Sequence, residues 1–386
     1  MKKAARATLI LILIVATILL RSPLSAKGAT NEERFTITTT VTYSNNGTNV
    51  WNLTGEDYAI SLFMNNSWQS VSLIEHSLPL NSVRNDSDGN LLGFLNFTQL
   101  NPGQNVNYTV KYDVVSKPRL IPNMTEEQSQ RLAEINATLK DEYCKKEGPW
   151  LTDNLKLMEL ASNLTGSEKR VLSIVKNFVR WIANDSNVKY DFFAEVPRYP
   201  NETYKEQKGD CDDQAILLIT LCRIIGIPAY LQVGCIFQFG SPPSTEDYWE
   251  GHVTSVLRQI GWHGWAIVYI PPWGWLPVDL TYVLAIGGLS DPLNAIKGAA
   301  VTGQNVIQYM NFTHTDYVGN SRHLRDFIQN NNFYIYMMDE MKMNTDFGSA
   351  WELIKLMLRG TLIAAAIIAV SLAAIFVYKW RNSDRI

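Results

Sequence analysis

The chain has 386 residues, room for two to three domains with sizeable cores. A net charge of −3, from 34 basic and 37 acidic residues, excludes an overall basic nucleic-acid binder. An apolar fraction of 46% with 18% charged residues fits neither a disordered chain nor a polytopic transporter. The charge is unevenly spread: residues 1–21 carry +4 and 379–386 carry +2, which leaves −9 for 22–378.

The N-terminus opens with Lys2, Lys3 and Arg6 and runs apolar from Ala7 to Leu20. That length suits a signal-peptide core better than a full membrane span. Leu24-Ser25-Ala26 is a mediocre cleavage site, so residues 1–27 read as a signal peptide or an uncleaved signal anchor.

Residues 28–120 read as a β-sandwich. Short β-rich runs begin at Phe35–Thr38 and Val41–Tyr43 and continue at Tyr58–Phe63 and Val71–Ile74. Leu91–Phe97 and Val106–Val115 close the set, with turn clusters such as Asp86-Ser87-Asp88-Gly89-Asn90 between them. The region carries no catalytic constellation and reads as a spacer or binding module.

Pro118 and Pro122 mark a boundary, and a second domain is expected over 121–350. Helices are predicted over 125–145, 150–162, 167–184 and 211–225. In the third, Val171, Ile174, Val175, Phe178, Trp181 and Ile182 keep helical spacing. Residues 190–204 read as a loop. Strands are predicted near 229–239, 263–270, 275–282, 305–313 and 333–338.

Gly360 to Tyr378 is uncharged, and at about 1.5 Å per residue it is long enough to cross a bilayer core. A transmembrane helix over 358–380 and a cytoplasmic tail over 381–386 are therefore expected. Basic residues flanking both apolar segments place the main body outside the cytoplasm. The sequence holds 31 Asn and twelve Asn-x-Ser/Thr sequons, from Asn46 to Asn311, where about four would arise at ordinary Ser/Thr usage. This excess favours an exported ectodomain carrying N-linked glycans.

The chemistry concentrates in Gly209-Asp210-Cys211-Asp212-Asp213-Gln214-Ala215, which runs into an apolar helix ending Gly226-Ile227-Pro228. Asp210 is an N-cap, Gly226 a C′ glycine, and Cys211 falls in the first turn. There the helix dipole favours a thiolate, while the neighbouring acids oppose it, so a nucleophilic Cys211 needs a cationic partner. Of five histidines, His263 lies on a strand, Trp262-His263-Gly264-Trp265, that precedes a hairpin into Trp275-Leu276-Pro277-Val278-Asp279. A hairpin loop of 269–273 sets Asp279 opposite His263; a shorter loop of 271–274 leaves them diagonal. Cys211, His263 and Asp279 then offer nucleophile, base and orienter for acyl transfer.

His252 is a rival base without the following strand and aspartate. His314 and His323 read as ordinary polar residues. Asp210, Asp212, Asp213 and Glu206 lack EF-hand order and read as solvated caps. Trp249, Trp262, Trp265, Trp273 and Trp275 line a cleft or fill a core. No cysteine pair has zinc-finger spacing, so neither cofactor nor metal is expected. Cys222 and Cys235 read as core, with at most one disulfide among Cys144, Cys222 and Cys235.

Taken in order, Gly-Asp-Cys-Asp-Asp-x-Ala with Gly-Ile-Pro, His-x-Trp and Trp-x-Pro-Val-Asp-x-Thr resemble the transglutaminase-like superfamily of papain-like fold, over about 165–285. The resemblance implies an α+β domain of helices on an antiparallel sheet and a Cys211–His263–Asp279 triad. Gly264, Tyr230 and Leu280 depart from the family pattern where Ala, Arg and Pro are common. The expectation is a membrane-tethered, extracytoplasmic, membrane-anchored prokaryotic-type protein. It would act through a thioester on carboxamides of surface proteins or peptides. A cysteine peptidase or amidase, and an inactive adhesion or scaffold module, stay open. No nucleic-acid partner is expected.

Overall fold

The computed structural model describes residues 32–344 apart from 53–58, 121, 193 and 282–290. The expected signal segment over 1–27, the transmembrane helix over 358–380 and the tail over 381–386 lie outside the described residues. Among the described residues, no helix is long and apolar enough to cross a membrane.

The first strands are β1 (Glu33–Asn45), β2 (Trp51–Asn52), β3 (Ala59–Ser61), β4 (Gln69–His76), β5 (Leu80–Asn85), β6 (Leu91–Leu95), β7 (Gln99–Leu100) and β8 (Asn105–Ser116). In β1 the β-branched run Thr36–Thr42 suits a pleated surface, and Phe35, Ile37 and Val41 point into the core. The two β-runs seen near residues 35 and 43 are this one long strand.

Strand β1 does not pair within the N-terminal region alone. It lies between β8 and the last strand, β17 (Phe333–Met343), antiparallel to both. Two further strands, β12 (Ser244–Tyr248) and β13 (Val253–Arg258), extend the sheet to the order β12-β13-β17-β1-β8-β4. A three-stranded sheet, β3-β6-β5, packs Ile60 and Leu95 against its inner face. The expected two-layer β packing is thus present, yet half of the large sheet comes from beyond residue 120.

A helical stretch follows: α1 (Ala137–Tyr143), α2 (Leu155–Thr165), α3 (Val171–Ile182), α4 (Pro200–Glu206) and α5 (Cys211–Ile225), with two-residue strands β9 (Lys189–Tyr190) and β10 (Lys208–Gly209) between them. The helix expected over 125–145 is cut to one short 3-10 turn and α1, which Asn136 caps by accepting from the Thr138 N–H. Helix α4 replaces an expected loop: Pro200 opens it, and Glu202 accepts from the Tyr199 N–H.

The second sheet has the order β15-β14-β11-β16, from β11 (Ala229–Phe237), β14 (Ile260–Ile270), β15 (Gly274–Val278) and β16 (Val306–Phe312). Helix α6 (Asn294–Val301) precedes β16 and α7 (Tyr317–Asn331) follows it. Helix α7 gives little periodic signal, since Val318 and Ile328 are its buried residues; Asp316 caps its start and left-handed Asn332 ends it.

Helix α5 fixes the site. Ile216, Leu217, Leu218, Ile219 and Leu221 are fully buried, so it is apolar on every side and must sit inside. Each such side chain contributes about 1.5–3 kcal/mol of burial. Gly226 takes φ 85° and closes the helix. The buried Arg223 donates from Nε to the Ala229 carbonyl at 2.8 Å and lies 4.4 Å over the Trp150 ring. The sheet carries cores on both sides: Leu231 and Ala266 pack with α5, whereas Cys235, Phe237 and Ile307 pack against Phe35 and Ile37 of the large sheet. All four cysteines are free thiols, and Cys222 and Cys235 are buried.

Candidate active site

Cys211 is the first residue of α5. The Asp210 carboxylate accepts from the Asp213 N–H at 3.4 Å while the Asp213 carboxylate accepts from the Asp210 N–H at 3.3 Å, a reciprocal cap that sets the helix start. Asp213 is wholly buried and held by Arg198, whose Nη1 lies 2.8 Å away; Arg198 also reaches Asp191 at 2.5 Å. The cap acids expected to be solvated are therefore largely internal.

His263 lies in β14 and Asp279 one residue past β15. Ile270 pairs with Gly274, so the turn is 271–273 and the ladder ends at Ala266↔Val278. The turn is shorter than either expected loop, and its register leaves His263 and Asp279 diagonal. The diagonal is nonetheless closed: His263 Nε2 and Asp279 Oδ2 are 2.9 Å apart, with both side chains 6% exposed. The Asp279 carboxylate also accepts from the Thr281 N–H at 3.1 Å, and its own N–H donates to the Ala295 carbonyl at 3.0 Å.

Strand β14 approaches α5 at Gly264, whose N–H donates to the Cys211 sulfur. A Cβ on Gly264 would stand 2.9 Å from the Asp212 Cβ, which accounts for the departure from alanine here. Burial and the adjacent Asp212 and Asp210 carboxylates push the Cys211 thiol well above its ordinary range, against the pull of the Gly264 N–H. Burial, the adjacent Asp212 charge and a hydrogen bond to Asp212 also raise Asp210. Tyr317, at the start of α7, donates its hydroxyl to Asp212. No sequence signal pointed to Tyr317, because α7 lacks an apolar stripe.

Cys211 and His263 line one cavity of about 600 Å³. Its far wall is the large sheet: Thr39 and Val41 of β1, Tyr108 and Tyr112 of β8, Met337 and Asp339 of β17. The N-terminal β region is thus no spacer. Asp339 is 2% exposed, accepts from Trp262 Nε1 at 2.9 Å and is raised by burial. Among the cleft candidates, Trp262 lines this cavity, Trp265 is buried, and Trp273 packs on the core beside α5. Trp275 lines a different cavity, and Trp249 donates to the Glu195 carbonyl. The rival His252 stacks on Tyr334 at 4.5 Å and bonds the Phe333 carbonyl, while His314 pairs with Glu147 at 2.5 Å. Asp210, Cys211 and Asp212 bring two carboxylates and the sulfur within 4.8 Å of one another. The helix cap at the Asp213 N–H and the hydrogen bond between the two carboxylates account for the cluster.

A cysteine at a helix start and a histidine on an antiparallel strand, sharing one cavity, with an aspartate just past the neighbouring strand, give the site a papain-like layout. Residues 158–280 match the family model of the transglutaminase-like superfamily. No curated protein matches the chain. Among solved structures, a cysteine-protease candidate from Cytophaga hutchinsonii aligns at TM-score 0.51 and 19% identity, over 82% of this chain and 93% of its own. That likeness is one of fold. The periplasmic domain of TgpA from Pseudomonas aeruginosa aligns at TM-score 0.33 and 15% identity, over 66% of this chain and 93% of its own, too distantly to support an argument.

Proposed function

We propose that the protein is a thiol-dependent acyl-transfer enzyme in which Cys211 is the nucleophile, His263 the general base and Asp279 the residue that orients it. The observation that carries this is the buried 2.9 Å His263–Asp279 contact beside a cavity that Cys211 shares with His263. With Nε2 engaged by Asp279, proton exchange with the thiol falls to Nδ1. The raised thiol implies that Cys211 rests protonated, so His263 takes the proton as the sulfur attacks. The Sγ–C bond forms, the carbonyl oxygen becomes an oxyanion, and the first-turn Cys211 N–H is the natural donor to it. The C–N bond then breaks as His263 returns the proton to the departing amine, leaving a thioester. An incoming amine or water resolves it.

The substrates that fit tethering are carboxamides of surface proteins or peptides, with the protein held at the membrane by the apolar segment 360–378 and its main domain extracytoplasmic. Ten of the twelve sequon asparagines are exposed, which supports N-glycosylation of that domain; Asn201 and Asn311 are half-buried.

The test is to incubate the full-length protein with a glutamine-containing peptide and a dansylated primary amine, beside Cys211→Ala, His263→Ala and Asp279→Asn. Amine incorporation read by mass spectrometry supports transfer, and conversion to the acid supports the hydrolase alternative. Each variant should lose on the order of 10²-fold or more. Absence of both products, together with a Cys211 alkylation rate indifferent to His263→Ala, overturns the enzyme reading in favour of an adhesion or scaffold module.

A further inference from the structure

A second cavity, of about 610 Å³, lies between β11, β14 and β15 on one side and segments 63–68 and 85–91 with Arg119, Leu120, Pro122 and Met124 on the other. It shares Phe63 and Tyr309 with the site cavity but holds neither Cys211 nor His263. Its size falls within the usual range of small-molecule sites.

Two of its polar groups lack partners. Gln232 is 4% exposed; its Nε2 donates to Asn311 Oδ1 at 2.8 Å, while its Oε1 is sealed from water and receives no hydrogen bond. Arg119 is the one charged residue on the lining among the described residues, and its buried Nε has no acceptor. Burial alone lowers its pKa, to about 10, with no acidic neighbour to offset it. Gly303 makes room for this side chain: a Cβ there would stand 2.8 Å from the Arg119 Cδ. The guanidinium lies 6.0 Å over the Trp68 ring, but its buried Nε and the Gln232 Oε1 lack hydrogen-bond partners; both cost stability, and a ligand carrying the complementary groups relieves both. Tyr230 and Trp275, with ring centroids 5.1 Å apart, supply an apolar wall.

We propose that this cavity binds a small carboxylate-bearing molecule with an apolar body. The carboxylate sits on the Arg119 guanidinium, an N–H or O–H donates to Gln232 Oε1, and the body lies against Tyr230 and Trp275. A planar guanidinium matches a carboxylate through two parallel hydrogen bonds, which gives the site its anion preference. The proposal is independent of any role for Cys211.

The test is calorimetric titration of the full-length protein with N-acetyl-L-phenylalanine and with its neutral amide. The acid should bind saturably and at least about tenfold tighter than the amide. Arg119→Gln should erase that preference, and Gln232→Leu should weaken the acid at least about fivefold. Both variants should retain the wild-type alkylation rate of Cys211. Arg119→Gln should also keep a cooperative melt close to the wild-type temperature, because the buried Nε it removes has no acceptor, so lost binding is not misfolding. No saturable binding of the acid, equal affinity for acid and amide, or a preference that survives Arg119→Gln overturns the proposal.

Discussion

Asp212 occupies the space that a side chain on Gly264 would need. The contact is between backbone-fixed atoms: a Gly264 Cβ would meet the Asp212 Cβ at 2.9 Å and its Cα at 3.3 Å. Neither α5 nor β14 can yield without moving the pair that carries Cys211 and His263. Gly264→Ala is therefore expected to destabilise the protein by about 1–3 kcal/mol. It should also slow iodoacetamide labelling of Cys211, since the Gly264 N–H supports the thiolate. Thermal melting and labelling rates check both effects; wild-type values for each would remove Gly264 from the account.

The Cys211 thiol is pushed up by burial, Asp212 and Asp210. Alkylation should rise with pH through the alkaline range and show an apparent pKa above that of a free cysteine. Asp212→Asn removes the nearest negative charge and should move the profile to lower pH. Rates measured from pH 5 to 11 decide the matter, and an unshifted profile would mean that Asp212 does not control the thiol.

Asp210 has a folded-state pKa raised by burial and by Asp212. A raised acid adds relative stability that is complete below its unfolded pKa of about 3.9 and is lost as pH climbs above it. At pH 7 folding must therefore return a proton to this group. Asp210→Asn keeps an equally good N-cap and removes that cost. The variant is expected to melt about 2 °C or more above wild type at pH 7 and to match it near pH 4. A lower Tm at pH 7 would contradict this.

Asp213 is wholly buried and depends on Arg198 at 2.8 Å. Arg198→Met leaves that carboxylate without its cation and should cost about 3 kcal/mol. Adding Asp213→Leu removes the stranded charge and should recover part of the loss. A double-mutant cycle by urea denaturation gives the coupling; a coupling near zero would show that the pair is not a unit.

The site was legible in the sequence to an unequal degree. Helix α5 was bounded correctly because Asp210 and Gly226 are unambiguous caps, and this alone put Cys211 in a first turn. The association of His263 with Asp279 was legible from their shared strand face, but their register was not. The turn at 271–273 pairs Ile270 with Gly274, and turn geometry, unlike alternation, leaves no periodic trace. The boundary at residue 120 misled because β17 pairs with a strand some 300 residues earlier, and nothing local in Phe333–Met343 names its partner. Asp339 and the β1–β8 wall of the cavity were invisible for the same reason, and Tyr317 because α7 lacks an apolar stripe.

That pairing has a mechanical side. Phe35 is opposite Met343, and the Asn344 N–H donates to the Arg34 carbonyl at 2.7 Å, so the described domain begins and ends at one point on its surface. A force that separates the two ends would load the β1–β17 ladder one rung at a time, as a zipper, rather than across all rungs at once. The seam that opens first is also a wall of the cavity, since Thr39 and Asp339 face each other across it, joined by a 2.5 Å hydrogen bond. Tension across the two ends would therefore be felt in the cavity before the core of α5 yields.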